Sequence, residues 1–281
     1  MCGIAGFIAQ QPHPEALATL GRMAEQIQHR GPDDYGLYHD RHAFLGHRRL
    51  SIIDVAGGHQ PMTNEDRSLW LIYNGEVFNH ADIRPGLEQA GHRYTSRSDT
   101  ETILHAYEEH GPDCLSLFRG MFAFVIWDPG RQTLFAARDR LGIKPFYYYW
   151  DGRLFAFASE IKALLEHPVI SRAVEESALP EYLAFGYLSD ERTLFRGIRK
   201  LMPGHHLLLD ISGDTPVLRT RCYWDLQAPS HAAGRADETF WVSETRRRLE
   251  ETVRMRLILN LRLGDPIARS ALLPPRTAPD L

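Results

Sequence analysis

The chain has 281 residues, 43% of them hydrophobic and 24% charged, enough apolar material for one large core or two modest ones. Thirty-two Lys and Arg against 36 Asp and Glu leave a formal net charge of -4, which argues against the basic footprint of a nucleic-acid binder. No apolar run reaches the ~20 residues of a membrane span, and Met1-Cys2-Gly3-Ile4 lacks the basic and apolar regions of a secretory signal, so the expected compartment is the cytoplasm.

A first helix is predicted from Pro14 to about Gln28, where Leu17, Leu20, Met23, Ala24 and Ile27 recur at steps of three and four. Short strand-like runs follow at Phe44-Leu45, Leu50 to Asp54 and Leu69 to Tyr73, punctuated by Gly57-Gly58 and Asn74-Gly75. Ser98-Asp99-Thr100-Glu101 reads as a capping box opening a second helix, which Gly111-Pro112 ends. From Met121 the pattern is a β-meander: Phe122 to Trp127, Thr133 to Arg138, Phe146 to Trp150 and Leu154 to Ala158, the last two joined across Asp151-Gly152. A helix near Glu175 to Phe185 and a strand at His205 to Asp210 complete a first domain over 1–211. Residues 212–240 read as a linker, 241–258 as an amphipathic helix with Val242, Leu249, Val253 and Leu257 on one stripe, and 259–281 as an irregular tail. Helices alternating with locally paired strands favour antiparallel sheets covered by helices over a doubly wound parallel sheet.

Cys2, Cys114 and Cys222 are an odd count without a close pair, which excludes a disulfide framework and a CxxC zinc ribbon. The 14 histidines include no HExxH pair and are read as surface and core residues, so no metal is expected. Neither a GxxxxGK[ST] loop nor a GxGxxG is present.

Cys2 is the chemical focus. Removal of Met1 before so small a side chain would leave one residue owning both a thiol nucleophile and a free α-amine to take its proton. The apolar Ile4, Ala5, Phe7 and Ile8 would bury this start, and Gly3 would let a substrate approach. Asn74-Gly75, at the end of a strand, can present a side-chain amide and an unhindered backbone N–H to an oxyanion, although an Asn-Gly turn alone explains the dipeptide as well. Arg48 or Arg49 could bind an amino acid's carboxylate, and Glu76 or Asp99 its ammonium group; surface charge, or helix capping by Asp99, are the competing explanations.

The segments Met1-Cys2-Gly3-Ile4-Ala5-Gly6, His29-Arg30-Gly31-Pro32-Asp33, Gly46-His47-Arg48-Arg49-Leu50-Ser51-Ile52, Tyr73-Asn74-Gly75-Glu76-Val77-Phe78-Asn79, Ser98-Asp99-Thr100-Glu101, Gly120-Met121-Phe122-Ala123-Phe124 and Arg138-Asp139-Arg140-Leu141-Gly142-Ile143-Lys144-Pro145 resemble, in this order, the class II glutamine amidotransferase domain of glutamine-hydrolysing asparagine synthetases. The resemblance implies an α+β N-terminal-nucleophile (Ntn) hydrolase fold, a four-layer αββα sandwich, and hydrolysis of L-glutamine to glutamate and ammonia. It implies Cys2 as nucleophile, Asn74 and Gly75 as the oxyanion site, Arg49 on the substrate α-carboxylate, and Glu76 and Asp99 on its α-ammonium. The backbone from Leu50 to Ile52 would line the pocket. No cofactor is implied for this half-reaction.

The family's synthetase domain carries a Ser-Gly-Gly-x-Asp-Ser signature, which is absent here; after Ile258 the chain runs Leu259-Asn260-Leu261-Arg262 into a Pro- and Arg-containing tail. The expectation is a truncated or frame-shifted reading, or a synthetase partner encoded separately, with ATP and Mg needed only by that missing part. A non-catalytic remnant or binding module, and an amidotransferase with another acceptor, are the alternatives; homodimerisation is left open, and neither nucleic acid nor membrane is an expected partner.

Overall fold

In the strand Gly3–Ala9 (β1), Ile4 and Ile8 point to one side and Ala5, Phe7 and Ala9 to the other, and both sets are buried. A strand covered on both faces belongs inside a layered fold. The computed structural model describes residues 1–11, 14–51, 57–227 and 237–257. In chain order β1 is followed by α1 (Ala16–Gln26), β2 (Asp34–His39), β3 (Ala43–Arg49), β4 (Met62–Thr63), β5 (Trp70–Val77), α2 (His80–Gln89), α3 (Asp99–His110), β6 (Gly120–Asp128), β7 (Thr133–Arg138), β8 (Tyr147–Trp150) and β9 (Leu154–Ala158). Then come α4 (Ile161–Leu164), α5 (Leu179–Phe185), β10 (Ile198–Lys200), β11 (His205–Asp210), β12 (Val217–Cys222) and α6 (Glu238–Arg256).

The strands form two six-stranded sheets, ordered β10-β8-β9-β1-β3-β2 and β12-β11-β7-β6-β5-β4, with antiparallel pairing throughout. Three apolar clusters mark three interfaces between four layers. Ile4, Ile8, Ile72, Val125, Trp127, Phe155 and Phe157 fill the space between the sheets. Leu20, Met23 and Ile27 pack with Phe7 and Leu164 on the outer face of the first sheet, and Ile103, Leu104 and Phe118 pack with Leu71, Phe122 and Phe124 on the outer face of the second. The period-two alternation of β1, β5, β6 and β9 thus feeds two interfaces from each strand. The α+β, four-layer αββα arrangement implied by the resemblance is the observed one.

Several local expectations differ. Strand β3 ends at Arg49, so Leu50 and Ser51 of the strand read at Leu50 to Asp54 are outside it, and the rest of that run lies outside the described residues. The meander divides: β6–β7 sits in one sheet and the β8–β9 hairpin in the other, so the chain crosses layers between Arg138 and Tyr147. Ser98 caps α3 by accepting from Thr100 N, but Glu101 turns back to the amides of Thr95 and Ser96 instead of closing a box on Ser98. The linker reading of 212–240 misses β12, which pairs with β11 from His205↔Cys222 to Asp210↔Val217; its exposed, polar Arg219-Thr220-Arg221 is what made an edge strand look like loop. The helix read from 241 begins at Glu238, capped by Asp237, and its stripe residues Val242, Leu249 and Val253 are exposed; the tail 259–281 lies outside the described residues.

Candidate active site

Cys2 precedes β1 directly, in phase with Ile4, and so stands at the mouth of the gap between the sheets. Strand β1 is locked centrally by β3 and β9, and Ile4 exchanges bonds with Ser159, its N–H donating to the hydroxyl at 3.0 Å and its carbonyl accepting from Ser159 N at 2.8 Å. The Cys2 carbonyl accepts from Arg30 Nε at 3.0 Å, and Arg30 is held by Glu160 at 3.0 Å. Its sulfur lies 3.4 Å from Leu50 N and 3.7 Å from Leu50 O, so Leu50 engages the thiol through its backbone. Gly3 has a packing role: a Cβ there would sit 2.9 Å from the Ile27 side chain.

Burial pushes the Cys2 thiol up, while the Leu50 amide, the chain's amine, Arg49 and Lys144 pull it down. The Met1 amine is lowered, chiefly by burial, with Arg30 and Lys144 acting in the same direction. A buried thiol amid cations, beside an amine of weakened basicity, is suited to local proton exchange.

Alternation on β3 separates the two arginines. Arg48 donates to the Ala24 carbonyl at 3.1 Å and lies over the Tyr35 ring, whereas Arg49 is buried and acts electrostatically on Cys2. On β5, Tyr73 faces the helices and Asn74 shares the inter-sheet side of Ile72. Asn74 is 1% exposed, and its Nδ2 has no hydrogen-bond partner among the described residues. Leaving a buried amide N–H₂ unsatisfied costs about 1–3 kcal/mol, and Asn74 Nδ2 retains its capacity to donate. Gly75 is sterically obligatory, since a Cβ would meet the Met121 carbonyl at 2.3 Å.

Asp99 is the first helical residue of α3 and is not its cap. Its Oδ2 accepts from the Tyr73 hydroxyl at 2.7 Å and Val77 N at 2.9 Å, and burial raises its pKa. Burial also raises that of Glu76, reinforced by Asp99 and opposed by Lys144 and Arg256. A cationic ligand group would relieve both carboxylates. Ile52 lies outside the described residues.

The residue-by-residue reading passed over Lys144 and its support. Asp139 is buried and accepts from four backbone amides, those of Phe122, Leu141, Ile143 and Lys144, at 3.0–3.1 Å, while Arg138 donates to the carbonyls of Gly142, Lys144 and Leu201. These bonds shape the crossover between sheets and hold Lys144, 5% exposed, within electrostatic reach of Cys2 and Glu76. The run Arg138 to Lys144 was the signal for it.

The profile of the glutamine amidotransferase domain family matches residues 1–224. Asparagine synthetase [glutamine-hydrolyzing] 3 of Bacillus subtilis is 40% identical over 235 residues, covering 82% of this chain and 38% of that protein. The amidase chyE of Penicillium rubens is 34% identical over 273 residues, 92% of this chain and 39% of its own length. The chain therefore spans well under half of these relatives. Among solved structures, the Bacillus subtilis glutamine phosphoribosylpyrophosphate amidotransferase superposes with a TM-score of 0.55 at 20% identity over 79% of this chain and 49% of its own, a likeness of fold. With the αββα layers and the N-terminal cysteine at their mouth, these matches show that the chain belongs to the class II glutamine amidotransferase domain family, homologous to the N-terminal domains of glutamine-hydrolysing asparagine synthetases.

Proposed function

We propose that this chain hydrolyses L-glutamine to glutamate and ammonia through a thioester on Cys2. The observation that carries the reading is the buried, unpartnered Nδ2 of Asn74 beside Gly75, on the strand facing the Cys2 end of β1. Loss of Met1 leaves the α-amine on Cys2 itself. That amine takes the thiol proton, the thiolate attacks the carboxamide carbon, and the oxyanion is met by Asn74 Nδ2 and the Gly75 N–H. The ammonium returns its proton to the departing nitrogen as the C–N bond breaks. Water then adds to the thioester, the amine receives its proton, and the C–S bond breaks to release glutamate.

Arg49 binds the substrate α-carboxylate, Glu76 and Asp99 its α-ammonium, and the backbone of Leu50 to Ile52 borders the pocket. Support comes from the burial of Arg49 near Cys2, from the Leu50 bonds to the thiol, and from the raised pKa values of the two carboxylates. No cofactor takes part in this half-reaction.

Residues 1–224 carry this chemistry, and α6 opens a synthetase part in which ATP and Mg²⁺ convert aspartate to asparagine with the released ammonia. Synthetase residues outside this chain, as a separate domain or subunit, are its partner. The names of the asparagine synthetase relatives support this, as does the position of α6 beyond the family match. The cytoplasm is the compartment of the reaction; among the described residues no helix is long and apolar enough to cross a membrane.

Glutamate release from glutamine by the purified chain, with Cys2→Ala alongside, tests the reading. Cys2-dependent release is expected; folded protein without turnover overturns it.

A further inference from the structure

Beyond Asp99, α3 carries His105 and Glu108, about 9 and 14 Å of helix rise further along. The loop after β4 brings Glu65 to them and the turn after α2 brings His92. One donor atom from each of these four residues lies within 4.8 Å of the other three.

The imidazoles stack with centroids 4.8 Å apart at 29°, and both direct Nδ1 toward the same two carboxylates. His105 Nδ1 is 3.0 Å from Glu108 and 3.5 Å from Glu65, and His92 Nδ1 is 3.8 Å from each. Ligand bonds of 2.0–2.1 Å give a tetrahedron edges of about 3.3 Å, which these separations bracket.

Behind the rings the arrangement is repeated. His105 Nε2, buried and without a hydrogen bond among the described residues, is 3.8 Å from a Glu101 carboxylate, and His92 Nε2 is 3.6 Å from Glu109. Glu108 also accepts from Asn64 Nδ2, and Glu65 from Arg93 N, both at 2.7 Å. Glu108 and Glu65 are thus each held by a hydrogen bond, and a carboxylate stands behind each imidazole at ion-pair distance, the kind of outer shell that surrounds bound-metal ligands.

We propose that Glu65, His92, His105 and Glu108 form a structural Zn²⁺ site that ties the β4–β5 loop and the end of α2 to α3. Two imidazoles select a first-row transition ion over Ca²⁺ or Mg²⁺, and four protein ligands close the site to catalysis. The ion holds the helix whose first residue, Asp99, engages Tyr73.

Isothermal titration of the chelator-treated chain with ZnCl₂ tests this, followed by thermal melts and the visible spectrum with Co²⁺. One ion per chain, a raised Tm and the absorption of four-coordinate Co²⁺ are expected. His92→Gln should weaken binding by ~100-fold or more and Glu109→Gln by about tenfold. Glu65→Gln, on an exposed loop, replaces His92→Gln should that variant lose its near-ultraviolet dichroism. Absence of both binding heat and Tm shift overturns the proposal and leaves the cluster an ion-pair network; undiminished binding in His92→Gln overturns it by placing the ion elsewhere, as on the Cys2 thiol.

Discussion

His47 Nε2 on β3 lies 3.0 Å from the Tyr73 carbonyl on β5, a hydrogen bond that spans the two sheets between the candidate nucleophile and the candidate oxyanion site. A carbonyl only accepts, so Nε2 carries the hydrogen. Nδ1 is bare and buried, without a hydrogen bond among the described residues, and burial pushes the imidazole pKa down to about 3. The Tyr73 amide N–H also donates to Gln60 Oε1, and its hydroxyl donates to Asp99. The residue before Asn74 is thus tied to the opposing sheet, to the segment leading into β4 and to α3.

The neutral His47 makes the fold acid-sensitive. Its folded-state pKa is about 3 against an ordinary 6.5, so between these values the unfolded chain binds a proton that the folded chain refuses. Its contribution is fully present above about pH 6.5 and is lost as the pH falls toward 3, by up to ~1.4 kcal/mol per unit. Urea unfolding at pH 7, 6 and 5 should show a shallower loss in His47→Gln than in the parent; equal slopes refute the assignment.

Asn74→Ala should lower kcat for glutamine hydrolysis by ~10²–10³-fold with a smaller change in KM, because the lost donor acts on charge that develops in the transition state. Far-ultraviolet dichroism should be unchanged. A variant with near-parental kcat would take Asn74 out of the chemistry.

Gly75→Ala should destabilise the chain. The new methyl would sit 2.3 Å from the Met121 carbonyl and 2.7 Å from Phe122 Cα, both backbone of the paired strand β6, which cannot move aside without opening the ladder. A cost of about 1–3 kcal/mol, or several degrees in Tm, is expected by differential scanning calorimetry.

Lys144 pulls the Cys2 thiol pKa down against burial, so Lys144→Met should raise it. The rate of Cys2 alkylation by iodoacetamide, followed against pH, should then rise at a higher pH than in the parent. A profile unmoved or displaced to lower pH would show that the lysine does not act on the sulfur.

Much of the site was legible because its chemistry is carried by short contiguous segments. Cys2, the pair Asn74-Gly75, Glu76 and Asp99 each sit in a run that carries the family resemblance, although taken singly a turn, a surface charge or a helix cap would explain the last three as well. What joins those runs was not legible: Arg30 on the Cys2 carbonyl with Glu160 behind it is a pairing 130 residues apart in the chain, and no local pattern reports it. Nor do the sequence positions 65, 92, 105 and 108 resemble a metal spacing, since three separate segments contribute.

The sequence by itself determined which faces of the central strands and of the helices α1 and α3 are apolar, because side-chain direction follows a local period of two or 3.6 residues. It therefore specified covered antiparallel sheets, the thiol at position 2 and the helix opened by Ser98. Only the tertiary structure decided that β6–β7 and β8–β9 belong to different sheets, that Arg48 is drawn off to the Ala24 carbonyl, and that Val217–Cys222 closes an edge. Those outcomes depend on which buried surfaces meet across the layers, a choice made by long-range packing and hydrogen-bond partners that local periodicity does not encode.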